Sequence, residues 1–200
     1  MTKKQESSIS LSSFRQAAAT FTKESDRGSA LVAVAWVDDA LEACLRASFL
    51  DEKKIVDAIL RQDGPLGSFS SRVKTAYLLG IITASLYSDL EIMRGIRNEF
   101  AHVRRSVRFK DQSIKDRCKS LVGAKAFQSG SGQSIRSPRQ MFLISAIVAA
   151  ECLLSCAKDA KRPKIPVLDL YPAVIHRMAK SMALKNFKAT IEKLENPNDR

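Results

Sequence analysis

The chain has 200 residues, of which 45% are hydrophobic and 27% are charged. This balance is typical of a globular protein with a buried core and not of a disordered chain. The sequence contains four cysteines, none in a Cys-x-x-Cys pair, and two histidines. Cys152 and Cys156 are four apart on one helix face but have no nearby histidine or third cysteine, and two histidines are too few for a multi-histidine centre, so we predict neither a metal nor a cofactor.

The positive charge is confined to the second half of the chain. Residues 1–100 carry 13 basic and 13 acidic side chains, whereas residues 101–200 carry 20 and 8, which accounts for the whole net charge of +12. Such an asymmetry indicates a surface for an anion, which is a nucleic acid, an acidic protein or a membrane headgroup. The alternative is that the charge serves only solubility.

The spacing of the apolar residues predicts helices along the chain. Apolar residues recur every three or four positions without an alternating strand pattern, so we predict an all-α fold. We expect a disordered tail over residues 1–9 and a single helical bundle of about seven helices over residues 10–196. The helices expected are 10–23, 26–50, a short one from 51, 68–79, 84–103, 113–121, 138–161 and 169–194. Residues 123–137, which contain several glycines and serines, are predicted to be a flexible loop.

Two segments are apolar enough to form the centre of this bundle. Residues 30–37 are apolar on all sides, as expected for a central helix that is buried on most sides. Residues 141–157 contain Glu151 as their only charge. This second segment is short for a membrane span, and a carboxylate in its middle is costly in lipid, so we predict a buried helix and no membrane contact. The polar N-terminus does not resemble a signal peptide, so we expect a cytoplasmic protein.

The first candidate motif is a turn that precedes the helix expected at residues 68–79. Residues 63–67 read Asp-Gly-Pro-Leu-Gly, and Ser68 or Ser70 can cap the helix that follows. A helix start of this kind presents backbone N–H groups that could hold an anion, with nearby cations assisting. The alternative is a rigid corner between helices with its cations in solvent. The candidate binding residues here are Asp63, Gly64, Pro65, Gly67, Arg72 and Lys74.

The second candidate motif is a polar face on the helix expected at residues 84–103. Four residues spaced by four, three and four share this face: Glu91, Gly95, Asn98 and His102. A glycine within a helix costs about 1 kcal/mol relative to alanine, which indicates a close neighbour at Gly95. Arg97 falls toward the apolar stripe, where it must reach solvent or an acidic partner. Further candidate binding residues in and beyond this helix are Glu91, Arg94, Arg104, Arg105 and Arg108.

Together these motifs resemble the mannitol operon repressor family over residues 63 to about 121. The resemblance rests on the 63–67 turn, Ser71-Arg72-x-Lys74, Gly80 before a short link, Tyr87 leading to Arg97 and His102, and Phe109-x-Asp111 before a short helix. It implies an all-helical regulator without a standard DNA-reading module. Such a protein is not an enzyme and acts in transcriptional repression through protein partners.

The string Arg97-Asn98-x-x-x-His102 also resembles the motif of the HEPN superfamily, which are helical dimers that include metal-independent ribonucleases. By that resemblance, Arg97 would bind the scissile phosphate, His102 would transfer a proton and Asn98 would orient them. Arg97 and His102 are about 140° apart on an ideal helix. The pair of one subunit therefore converges only if the helix ends or distorts near His102, and a site shared by two subunits is the other solution.

Three functions remain open from the sequence alone. The first is a non-enzymatic regulator that acts through protein partners. The second is a HEPN-like, metal-independent endoribonuclease with catalytic residues Arg97, Asn98 and His102. The third is a nucleic-acid-binding protein that uses residues 101–200 electrostatically. We also expect a homodimer, since the Gly95 face and the apolar helix at residues 141–157 offer more buryable surface than one small bundle needs.

Overall fold

A computed structural model describes residues 19, 21, 23–102 and 106–163. These residues contain seven helices and no strand, which confirms the predicted all-α bundle. The helices are α1 (Asp26–Ser48), α2 (Lys53–Leu60), α3 (Phe69–Leu78), α4 (Ala84–Ala101), α5 (Gln112–Ser120), α6 (Val122–Ser131) and α7 (Pro138–Asp159). The expected tail at residues 1–9, most of the helix at 10–23 and the helix at 169–194 lie outside the described residues.

Helices α1 and α7 pack along each other, and α4 packs against both. α1 buries nine residues and α7 buries eight. In the described part of the chain, α7 is the one helix that is long and apolar enough to cross a membrane. It contacts α1, α4, α5 and α6. The eight residues that α7 buries therefore face protein neighbours, as expected for a central bundle helix.

The helix ends follow local signals in the sequence. The Ser25 hydroxyl caps α1 by accepting a hydrogen bond from the Gly28 amide at 3.0 Å. The Ser68 hydroxyl caps α3, as predicted, and accepts from the Ser71 amide at 3.1 Å. Gly80 follows the end of α3 with φ of +68°, a conformation that glycine adopts without strain.

The expectation of a flexible loop over residues 123–137 is wrong over most of its length. Residues 122–131 form helix α6, and only residues 132–137 lack helical structure. The glycines and serines of this segment lower its intrinsic helix propensity, which is why composition alone indicates a loop.

Long-range hydrogen bonds explain why α6 forms despite that composition. The buried Asp89 carboxylate of α4 accepts from the amides of Val122 and Gly123, at 2.9 and 2.8 Å. The Ser145 hydroxyl of α7 accepts from the Ala124 amide at 2.8 Å. Because the first amides of a helix have no partner within it, these contacts stabilise the start of α6.

Candidate functional site

The turn at residues 63–67 folds against the end of α2 and forms a tight corner. The Gly67 amide donates to the Gly64 carbonyl at 2.9 Å. A Cβ on Gly67 would lie 2.2 Å from the Gln62 carbonyl oxygen, and one on Gly64 would lie 2.5 Å from that of Ala58. Both contacts involve backbone, which cannot move aside like a flexible side chain. The corner therefore requires glycine at both positions.

Arg72 is buried inside this corner, where protein groups engage its guanidinium. Nη1 donates to Asp38 Oδ1 at 2.7 Å, and Nη2 lies 3.1 Å from Glu42 Oε2. Nε and Nη2 also donate to the carbonyls of Leu66 and Leu60, at 2.9 and 3.0 Å. Burial raises the pKa of Asp38, although the hydrogen bond and charge of Arg72 act in the opposite direction. Arg72 therefore joins α1, the end of α2 and the turn.

The geometry favours a rigid corner over an anion site built around Arg72. The expectation that Arg72 lies in solvent in such a corner is wrong, because the turn and the α1 carboxylates enclose it. Lys74 and Pro65 are exposed, and the exposed Asp63 pairs with Arg61 at 2.8 Å. Among the described residues, the corner therefore does not pair Arg72 with a second cation of the motif that could share an anion.

On α4, the candidate residues form two local pairs. Arg94 Nη2 lies 2.8 Å from Glu91 Oε2. Arg97 is exposed, and its Nη1 donates to Asn98 Oδ1 at 3.2 Å. The placement of Arg97 toward the apolar stripe is wrong, and it makes no ion pair with any described residue. α4 ends at Ala101, so the exposed His102 follows the helix rather than continuing it.

Both sequence motifs meet at one groove, which we call the α1–α4 groove. Its volume is about 340 Å³. Nine residues line it, from α1, the turn and cap before α3, the first residue of α3, and α4: Leu31, Val34, Ala35, Asp38, Gly67, Ser68, Phe69, Arg94 and Arg97. Arg97 is exposed because this groove leaves α4 uncovered between α1 and the corner. The groove therefore combines an apolar wall with an accessible guanidinium.

A second groove surrounds Gly95 and has a volume of about 390 Å³. Its lining residues are Tyr87, Ser88, Glu91, Ile92, Gly95 and Arg117. A Cβ on Gly95 would lie 3.4 Å from Arg117 Nη1, and the Arg117 guanidinium forms an ion pair with Glu99. The close neighbour expected at Gly95 is thus Arg117 of α5, a residue of the same chain.

The remaining candidate arginines follow α4. Arg104 and Arg105 lie outside the described residues. Arg108 is exposed, and its backbone amide donates to Asp111 Oδ2 at 2.9 Å. The side chain of Arg108 lines neither groove. The structure therefore does not join Arg108 to the α4 candidates.

The sequence motifs miss Asp89, a carboxylate that is only 4% exposed. It holds the start of α6 and lines a cleft between α4, α6 and α7. A signal for it is present in the sequence, because Asp89 precedes the buried Met93 by four residues and the buried Ile96 by seven. A carboxylate on the apolar face of a helix indicates a buried group with specific donors.

Comparisons with known protein sequences agree with the motif analysis. A family model described as mannitol repressor matches residues 22–146. The mannitol operon repressors of Escherichia coli K12 and of Escherichia coli O6:H1 are each 39% identical to this chain over 62 residues. The matched segment is 31% of this chain and 32% of each repressor, so the chain matches about a third of the length of these relatives.

A solved structure shares the fold. It is described as the X-ray structure of the MtlR–HPr complex from Escherichia coli, and the chain superposes on it with a TM-score of 0.58. The alignment covers 70% of this chain and 97% of the matched chain, at 22% sequence identity. At this level of identity the similarity shows a common fold.

Proposed function

The chain belongs to the mannitol repressor family, and from this premise we propose that it is a non-enzymatic regulator that acts in transcriptional repression through a protein partner. The observation that carries the proposal is the α1–α4 groove, where the two motifs of the family resemblance meet. The resemblance implies no standard DNA-reading module, so a protein partner is the route by which the chain would influence an operon.

The composition of the α1–α4 groove suits a protein ligand. Leu31, Ala35 and Phe69 provide apolar contact area, and Arg94 and Arg97 provide charge. Protein interfaces are enriched in aromatic residues and arginine, with polar groups around an apolar centre. Arg94 already pairs with Glu91, whereas Arg97, among the described residues, forms a hydrogen bond only with Asn98. Arg97 is therefore the group we expect to receive a carboxylate of the partner, because a guanidinium binds a carboxylate through two parallel hydrogen bonds.

We propose that the partner is a protein of the HPr kind. The support is the solved complex of MtlR with HPr, whose fold this chain shares over most of the matched chain. An acidic side chain on such a partner would lie against Arg97, while apolar side chains would fill the groove beside Phe69.

Titration calorimetry of the purified chain with HPr tests both the partner and the surface. Arg97→Glu should weaken binding about tenfold or more, since it replaces attraction of a partner carboxylate by repulsion. Lys125→Glu is the matched control, because Lys125 is an exposed cation of α6 that does not line the groove. If both variants bind HPr as tightly as the unmodified chain, the α1–α4 groove is not the binding surface. If the unmodified chain does not bind HPr, HPr is not the partner.

We further propose that the protein is a homodimer in solution. Gly95 faces Arg117 of the same chain and α7 packs within its own bundle, so we do not base the dimer on these two surfaces. The support comes from the link between α3 and α4. Leu78 is 82% exposed and Leu79 is 57% exposed, and exposed apolar clusters mark association sites. Light scattering at micromolar concentration should give twice the chain mass of 22.1 kDa. A particle of single-chain mass would contradict the proposal.

Nucleic acid is a second ligand that we propose for the basic half of the chain. Exposed cations among its described residues include Arg108, Lys110, Lys119, Lys125 and Arg136. Their support for binding is electrostatic and carries no preference for base sequence.

A regulator with these ligands would act in the cytoplasm, which is the location we propose.

A further inference from the structure

The cleft between α4, α6 and α7 is larger than either of the two grooves on α4. Its volume is about 530 Å³, within the range of about 300–1,000 Å³ that is usual for small-molecule sites. Its walls are mainly aliphatic, with Ile82, Leu86 and Val148 among the lining residues. Asp89 is the buried charged residue among those that line it. We call this cavity the Asp89 cleft.

Asp89 places a carboxylate at the cleft without a cation beside it. Its two oxygens accept the amides of Val122 and Gly123. Each oxygen of an ionised carboxylate can accept about two hydrogen bonds, so each retains an acceptor position. Aspartate is rarely buried without a paired cation, yet Asp89 forms no ion pair with any residue that the structure describes. Among those residues, the amides at the start of α6 are what balances its charge.

Glu151 adds a second carboxylate to the cleft, from α7. It is half-buried, and its side chain forms neither an ion pair nor a hydrogen bond with a described residue. Lys158 is the one cation among the described residues that line the cleft, and it is exposed. Seven residues of helix separate Lys158 from Glu151, which is about 10 Å and too far for an ion pair. The excess charge of the cleft is therefore negative.

We propose that the Asp89 cleft binds a small organic cation, in which an ammonium group is attached to an aliphatic chain. The ammonium donates to the remaining acceptor positions of Asp89, and Glu151 adds attraction. The chain lies against Ile82, Leu86 and Val148, where its burial is favourable. The site is separate from the α1–α4 groove and does not depend on the partner proposed above.

The chemistry of the cleft selects an organic cation over other ligands. A calcium ion takes about six to eight oxygen ligands, whereas the described residues contain no group of three or more His, Cys, Asp or Glu that could hold a metal ion. An anionic ligand would be repelled by Asp89 and Glu151. A neutral apolar ligand would fill the walls but would leave both carboxylates without a countercharge.

The test is an NMR titration of the nitrogen-15-labelled full chain with hexylamine, hexanol and hexanoate, which share one chain length. Hexylamine keeps its proton at neutral pH, as the lysine side chain does. The amides of Val122 and Gly123 report binding, because they donate to Asp89. We expect saturable shifts of both amides, with half-saturation at an about tenfold lower concentration of hexylamine than of hexanol. Hexanoate should give no saturable shift.

Three variants locate the ligand and its charge. Ala126 is an exposed residue that lines the cleft, so Ala126→Phe should weaken the binding of hexylamine and of hexanol alike. Ala58→Phe, at an exposed position of α2 outside the cleft, is the matched control and should change neither. Glu151→Gln tests the charge, because Asp89 also holds the start of α6. It should weaken hexylamine binding about threefold, as for a partly exposed ion pair, and leave hexanol binding unchanged.

Five results would overturn the proposal. On the unmodified chain, these are equal half-saturation by hexylamine and hexanol, tighter binding of hexanoate than of hexylamine, or no saturable shift of Val122 and Gly123 with hexylamine. Among the variants, they are equal effects of Ala126→Phe and Ala58→Phe, or unchanged hexylamine binding by Glu151→Gln. The first three do not depend on whether any variant folds.

Discussion

Replacing Arg72 with methionine removes a cation that α1, α2 and the turn share. Asp38 would lose this cation, Glu42 would keep only its pair with Arg46 among the described residues, and the carbonyls of Leu60 and Leu66 would lose a donor. Removing one member of a buried ion pair is strongly destabilising. The two carboxylate side chains are still 28% and 30% exposed. We therefore expect urea unfolding to show a loss of about 3 kcal/mol, at the lower end of the range for buried pairs.

Arg94→Met is the matched control for Arg72→Met. Arg94 pairs with Glu91 one turn earlier on the same helix, and both side chains are partly exposed. Exposed pairs of this kind contribute about 0.5 kcal/mol or less. Equal unfolding midpoints for the two variants would contradict the internal role of Arg72.

Alanine at Arg97 or His102 separates the regulator from the ribonuclease. Both side chains are exposed, so each substitution should change the free energy of unfolding by less than about 0.5 kcal/mol. We expect no RNA cleavage by the unmodified chain in the presence of a metal chelator. α4 ends at Ala101, which meets the condition that the helix must end near His102 for Arg97 and His102 of one subunit to converge. The cleavage assay therefore decides between the regulator and the ribonuclease. Cleavage that disappears in both variants, with melting temperatures unchanged, would establish the ribonuclease instead.

The two arginines show where sequence reasoning ends at the scale of a residue. Angles on an ideal helix place Arg97 toward the apolar stripe, yet they contain no information on which neighbouring helix covers that part of α4. Arg72 is predicted next to a glycine turn, but its carboxylate partners lie on α1, with Asp38 34 positions away. Contacts of this separation depend on tertiary packing, which one sequence does not specify.

At the scale of an element, substitutions at two glycines test whether α6 is a helix and whether the turn at residues 63–67 closes as a tight corner. Gly130 lies in α6 with open space around its Cβ position and no positive φ. Gly130→Ala should therefore stabilise the protein by up to about 1 kcal/mol, because alanine has the higher helix propensity. In a flexible loop the same change would have little effect. Thermal unfolding followed by circular dichroism measures the difference.

Gly67→Ala should have the opposite effect on stability to Gly130→Ala. Its Cβ would approach the Gln62 carbonyl oxygen to 2.2 Å, so the corner must open to admit it. We expect a destabilisation of about 2 kcal/mol or more, since strain at a fixed backbone contact is among the larger effects of single substitutions. A neutral effect would mean that the turn does not close as described.

The elements themselves are largely predictable, and the exception has a definite cause. Serine caps, glycine stops and apolar spacing are local signals, and they place α1, α3, α4, α5 and α7 within a few residues of their observed bounds. α6 is missed because its start depends on Asp89 and Ser145, which lie 33 and 21 residues away from their partners. The candidate site divides in the same way. Its residues are identifiable from the sequence, whereas the groove that joins them requires the packing of α1 against α4.

At the scale of the whole molecule, charge is distributed unevenly along the chain. Residues 101–163 contain 13 basic and 4 acidic side chains, and residues 164–200 contain 7 and 4, so most of the excess lies in the first of these segments. Several acidic partners take up cations there, since Arg117 pairs with Glu99 and Arg139 pairs with Asp26. Lys110 and Lys125 are exposed and make no ion pair among the described residues.

Salt dependence of nucleic-acid binding tests what this charge does. Each phosphate that the protein neutralises should steepen the plot of log affinity against log salt by about 0.9 for duplex DNA. The double variant Lys110→Glu/Lys125→Glu should therefore bind more weakly at low salt and give a shallower slope. Lys54→Glu, an exposed position in the neutral half, should leave the slope nearly unchanged. Fluorescence anisotropy with an operator duplex and a random duplex of equal length measures all of these quantities.

Similar affinities for the two duplexes are expected, because charge alone reads no base sequence. An affinity that is independent of salt, or strong preference for the operator by this chain alone, would contradict electrostatic binding and require a reading surface that phosphate contacts do not provide.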